Sequence, residues 1–239
     1  MQILASKFIY LEEQENLAEV LKPFKNMAVQ LAFFHRRDFL QMNHKHIREV
    51  CMSLNIDIPT VHAPTVDVFN EDFLEIIGKI RNIYDVKVIS IHPQKGDIGM
   101  ALAKLEEYAT ELEDFTLAYE NFPSPSGKRK WIHLPSEMYQ KFELPFLKLT
   151  FDTSHLDNPE DCIEEFGGVS DKVAVVHLSD YNKGKQHQPL GAGCVPYEKF
   201  VRHLKEMNFL GFVVLEYMEE FEGRLIDDVR KFAYLLDIM

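Results

Sequence analysis

Six short apolar runs in this chain each end in a side chain able to ligate a metal ion or carry a proton. IPTV runs into His62, VISI into His92 and TLAY into Glu120. LKLTF runs into Asp152, VAVV into His177 and FVVL into Glu216. Two more residues of the same type follow closely: His155, in FDTSH, and His187, beyond the run that ends in His177. Imidazole nitrogens and carboxylate oxygens suit Mn2+, Zn2+, Co2+ or Mg2+, so a divalent metal ion is the cofactor these residues point to. Carboxylates arriving from separate strands can also hold different pKa values and divide the work of acid and base.

Each of these residues has a plain structural reading when taken singly. The aspartates of DTSH and HLSD can cap a following helix, and a histidine after a strand can be a satisfied core residue. The joint pattern is harder to explain that way, because six successive runs end alike. Burying so many carboxylates and imidazoles together is costly unless a cation compensates them.

Residues at run ends can meet only if the runs share one rim. Candidate strands are Ile3–Ala5, Ala28–Phe33, Ile58–Val61, Val88–Ile91, Phe115–Tyr119, Leu147–Phe151, Val173–Val176 and Phe212–Leu215. Between them, apolar residues recur at helical spacing over Glu12–Leu21, His44–Leu54, Asp72–Tyr84, Gly99–Leu112, Pro135–Lys141, Pro159–Phe166, Tyr197–Met207 and Arg224–Ile238. Eight strand–helix units predict an α/β fold, a (β/α)8 TIM barrel forming a single domain over residues 1–239. Strand C-termini of such a barrel converge on one central pocket. A doubly wound open sheet would carry glycines after its first strand, and ASKFIY has none. The irregular stretches 121–134 and 179–196 fall where a barrel places functional loops.

The 26 Lys and Arg against 38 Asp and Glu leave a formal charge of −12, which speaks against nucleic acid as a partner. The local exceptions are Lys128, Arg129, Lys130 and Trp131, together with Arg36 and Arg37. Cys51, Cys162 and Cys194 form no CxxC, the usage of reduced thiols in a cytoplasmic protein. No signal peptide and no run of membrane-spanning length is expected, so no membrane partner either.

The strand ends resemble the xylose isomerase-like barrel superfamily, which includes sugar epimerases, inosose-type isomerases and dehydratases, and endonuclease IV-like enzymes. The resemblance runs from about Val61 to Glu216, through HAP, IHP, YEN, FDTSH, HLSD, QPLGAG and LEY. HLSD followed by PLGAG, a helix and a strand ending in glutamate is its most specific portion. The sugar-isomerase branch implies one metal held by Glu120, Asp152, His177 and Glu216, at separations similar to that branch. The endonuclease branch implies three zinc ions and a longer ligand set. It adds His62, His92, His155 and His187, and it expects aspartate where this chain has Lys185.

Two activities follow from the two branches. The first is a metal-dependent isomerase or epimerase of a sugar or polyol, phosphorylated or not, working by proton abstraction next to a carbonyl. Glu120 and Glu216 would be its acid/base pair. His155 and His187 would bind substrate or shuttle protons, and Lys183 and Lys185 would offer charge to an anionic substrate. The second is a zinc phosphodiesterase acting on abasic DNA, in which His62 and His92 supply the extra ligands. A barrel that binds a ligand without turnover is the third reading. Phe8, Phe33, Phe34, Phe122 and Trp131 sit where they could wall the pocket. Barrels of this kind often form homo-oligomers, and the sequence leaves the assembly open.

Overall fold

The computed structural model describes residues 1–92, 98–121 and 143–238. The expected helix Pro135–Lys141, the cluster Lys128, Arg129, Lys130 and Trp131, and Phe122 all lie outside the described residues. Eight parallel strands close into a barrel. They are β1 (Gln2–Phe8), β2 (Ala28–Ala32), β3 (Asp57–His62), β4 (Val88–Ile91), β5 (Thr116–Glu120), β6 (Leu147–Asp152), β7 (Val173–Leu178) and, after a hairpin, β10 (Phe212–Leu215). β10 pairs with β7 on one side and β1 on the other, which closes the ring. The hairpin, β8 (Asp180–Asn182) with β9 (Lys185–Gln188), stands apart as a two-stranded antiparallel sheet.

Successive inward residues of the strands form layers. Leu4, Ala118, Val175 and Val214, from β1, β5, β7 and β10, make a small fully buried apolar cluster. Gln30 donates to Ser90 at 3.4 Å, and the Ser90 and Thr150 hydroxyls share a 2.9 Å bond. These three come from β2, β4 and β6, so their bonds cross the barrel interior between alternate strands. One pleat further, two residues on from Thr60, Ala118, Thr150, Val175 and Val214, stand His62, Glu120, Asp152, His177 and Glu216. A period of two therefore carries five ligand-type side chains into one inward layer at the C-terminal rim.

The outward faces pack on helices. Behind β6, Phe151 meets Phe166 edge-on at 5.4 Å, and Phe166 meets Phe200 at 5.4 Å and Phe209 at 5.6 Å in the same manner. The helices differ from expectation in several places; Pro159–Phe166, for one, divides into a 3-10 turn, Pro159–Asp161, and a helix, Cys162–Gly167. Glu12–Leu21 divides into a 3-10 turn, Leu11–Asn16, and a helix, Leu17–Leu21, because Asn16 leaves helical geometry at φ −120°. Gly99–Leu112 breaks at Tyr108, whose ring stacks on Phe73 at 5.9 Å, into Ile98–Glu107 and Ala109–Leu112. A further short helix, Arg36–Gln41, follows β2. None of the described helices is long and apolar enough to cross a membrane.

Candidate metal centre

His177, at the end of β7, is fully buried. Its Nδ1 lies 2.9 Å from Glu120 Oε1 and 2.9 Å from Glu216 Oε2. Burial by itself would push the His177 pKa down, yet the two carboxylates outweigh it and hold the ring well above its ordinary value. The reciprocal effect holds both glutamates below the usual carboxylate range against the opposing pull of burial. Carboxylates arranged to favour a charged imidazole also favour a metal cation.

Glu120 faces a second imidazole. His62 Nε2 is 3.0 Å from Glu120 Oε2, and its Nδ1 is 2.9 Å from the Ala63 carbonyl. That carbonyl accepts from Nδ1–H and so leaves Nε2 as the donor atom for a metal. Burial opposes a charge on His62, but the bond to Glu120 prevails and raises its pKa. His92 Nε2 lies 3.8 Å from the same Glu120 oxygen, with the His62 and His92 rings 4.5 Å apart. Burial, together with His62, lowers the His92 pKa and keeps that ring neutral.

Asp152 divides its carboxylate between structure and the site. Its Oδ1 accepts from Ser154 N at 2.7 Å and Ser154 Oγ at 2.9 Å, so the capping reading of DTSH is correct for that oxygen. Its Oδ2 is buried with no hydrogen-bond partner. It stands 3.6 Å from His155 Nδ1, 3.9 Å from His177 Nδ1 and 3.9 Å from His187 Nδ1. Asn121 pins this corner: its amide oxygen accepts from Asp152 N at 2.6 Å, and its amide nitrogen donates to Asp152 O at 3.0 Å. The Asn121 carbonyl also takes His155 Nδ1 at 2.9 Å, which turns His155 Nε2 toward His187 Nε2 at 3.1 Å.

The donors form three overlapping groups: His62, His92 and Glu120; Glu120, Asp152, His177 and Glu216; and Asp152, His155 and His187. In each, one donor atom per residue lies within 4.8 Å of the others. Asp152 Oδ2 and His187 Nδ1, 3.9 Å apart, are buried and unpartnered, which is costly for a polar atom in a folded core. A divalent ion relieves that cost, and the donor chemistry fits Zn2+ or Mn2+. The residues present therefore fit a metal.

A cavity of about 320 Å³ opens above these groups. His62, His92, Glu120, His155, His187 and Glu216 form its floor, and Phe8, Tyr10, Phe34, Gln186, Tyr217, Met218 and Glu219 line the rest. Thus all eight expected ligand residues come together in these three groups. Lys185, expected to meet the substrate, does not join them. It is exposed on the hairpin and absent from the cavity lining, where its neighbour Gln186 stands instead. Phe8 and Phe34 do wall the cavity, whereas Phe33 is buried in the core. Tyr10, Gln186, Tyr217, Met218 and Glu219 are additions that the sequence does not announce, since loops, a 3-10 turn and the short hairpin strand β9 carry no readable periodicity. Asp180 of HLSD caps no helix; its carboxylate binds backbone amides of its own loop.

A closed parallel barrel with a histidine–carboxylate cluster at its C-terminal rim defines the class: a TIM barrel with a potential metal site. The description "Xylose isomerase-like TIM barrel" matches residues 45–234, and the chain belongs to that family. An uncharacterized protein of Methanocaldococcus jannaschii, MJ1614, is 25% identical over 251 residues, covering 96% of this chain and 95% of its own. Among solved structures, a D-tagatose 3-epimerase-like protein superposes with a TM-score of 0.70 at 19% identity, over 100% of this chain and 98% of its own. Endonuclease IV from Thermus thermophilus superposes at 0.63 and 16% identity, over 99% and 100% of the two chains. At those identities the two structures establish the fold, and both branches of the family are represented.

Proposed function

We propose that this chain is a divalent-metal-dependent isomerase or epimerase of a sugar or polyol. The observation that carries the reading is the pair Glu120 and Glu216, from separate strands. Each is 2.9 Å from one imidazole nitrogen and both line one cavity. When bound at Glu120, Asp152, His177 and Glu216, a divalent ion would polarise a substrate carbonyl and stabilise the negative charge formed on proton removal. One of the two glutamates takes the proton beside the carbonyl, and the other returns it. His155, held at Nδ1 by the Asn121 carbonyl, turns Nε2 toward His187, and these two histidines with Asp152 would seat a second ion beside the first. Gln186 offers a further polar contact, while Phe8, Phe34 and Met218 supply an apolar wall that excludes water.

The test is proton exchange. The Mn2+-loaded protein is incubated in D2O with D-fructose, D-tagatose, D-psicose and their phosphates. Deuterium next to the carbonyl in at least one of them is the expected result, and Glu216→Gln should lose it. Uniform failure to exchange, with metal bound, contradicts the reading.

One observation favours a second activity, zinc-dependent cleavage at abasic sites in DNA. The three donor groups share Glu120 and Asp152, an arrangement able to hold ions side by side. Incision of an abasic duplex that depends on zinc would establish it in place of the first.

A further inference from the structure

We propose that Asp180 is a positioning residue that holds His187 in its ligating pose; the inference rests on the reading that Asp152, His155 and His187 hold an ion. Of the eight ligand residues, His187 alone sits on the hairpin rather than on a barrel strand or the turn just after one. Its backbone adopts φ +52°, a left-handed conformation that a non-glycine residue keeps only when its surroundings impose it.

Asp180 supplies that constraint. Its side chain is fully buried, and its two oxygens accept four backbone amides. Oδ1 binds Tyr181 N at 2.8 Å and Val195 N at 2.9 Å. Oδ2 binds Gly191 N at 3.0 Å and Gly193 N at 2.8 Å. One carboxylate thus ties together both ends of the segment 181–195, with His187 at its middle. Gly193 is needed for the closure, because a Cβ there would come within 2.0 Å of the Tyr181 carbonyl oxygen. The far side is fixed by Met218 N, which donates to the His187 carbonyl at 3.0 Å. The HLSD and PLGAG motifs are therefore the two halves of one clamp.

The experiment is a zinc titration of metal-free protein against a chromophoric chelator, on wild type, His187→Ala, Asp180→Asn and the double variant. Asparagine keeps one acceptor oxygen and turns an amide group on two backbone donors, so half the clamp is lost. Outer residues that orient a ligand typically account for about 10–100-fold in metal affinity. Asp180→Asn should weaken the same zinc that His187→Ala weakens, and the double variant should be no weaker than His187→Ala alone. Wild-type affinity in Asp180→Asn, or losses that multiply in the double variant, overturn the proposal. Gly193→Ala displaces the same loop and serves as the second variant should Asp180→Asn fail to fold. Wild type that takes up no zinc overturns the metal reading instead. The clamp is then judged by hydrogen exchange: Gly191, Gly193 and Val195 amides should exchange at least about tenfold faster in Asp180→Asn, with barrel-strand amides unchanged. Unchanged exchange there overturns the clamp.

Discussion

Glu216 and Glu120 approach the same nitrogen of His177, and each also reaches the cavity. Glu216→Gln keeps the shape and removes the proton acceptor, so turnover should fall by about 100–10,000-fold, the usual span for a general acid or base. A rate within about tenfold of wild type, with metal still bound, would remove Glu216 from the chemistry. The ligands are legible in the sequence because the end of a strand is a position that sequence can locate and because their types are few. Gln186, Tyr10 and Met218 are not, for they reach the cavity from the short hairpin strand β9 and from loops, whose paths no pattern encodes. Lys185 departs from expectation for the same reason: proximity along the chain to His187 does not place its side chain in the cavity.

The elements that carry these residues stand on packing that can be tested apart from catalysis. Phe166 is fully buried behind β6, between Phe151, Phe200 and Phe209. Phe166→Ala should cost about 3–5 kcal/mol, read as a lower denaturant midpoint. His44, at the start of the helix His44–Ser53, is buried with Nδ1 2.9 Å from Tyr84 Oη and Nε2 2.6 Å from the Phe39 carbonyl. Burial lowers its pKa, so the folded protein resists protonation there while the unfolded chain accepts it near pH 6.5. The stability it supports is present above that pH and is lost as pH falls below it. Between about pH 7.5 and 5.5, Tm should therefore drop less steeply in His44→Gln, and an identical slope would show that His44 is not responsible. Strand positions are readable because their apolar runs are bounded by polar turns. The hairpin is not: its turn uses Lys183 at φ +50° and Gly184 at φ +85°, and only the glycine signals such a conformation.

Over the whole molecule, closure of the barrel turns residues scattered from position 62 to 216 into one layer, and that layer follows from a period of two along five strands. Counting strand–helix units is enough to reach the architecture, while the division of donors into three groups depends on side-chain geometry that spacing does not carry. The formal charge of −12 opposes a phosphate backbone, and no lysine or arginine lines the cavity among the described residues. Abasic duplex DNA should accordingly remain intact on incubation with the zinc-loaded protein at physiological salt. Metal-dependent incision would move the account to the phosphodiesterase branch. The most direct test of the central claim is elemental analysis of protein purified without chelators. At least one divalent ion per chain is expected, lost on combined substitution of Asp152 and His177. Occupancy near zero, with no uptake of added Mn2+ or Zn2+, would contradict it.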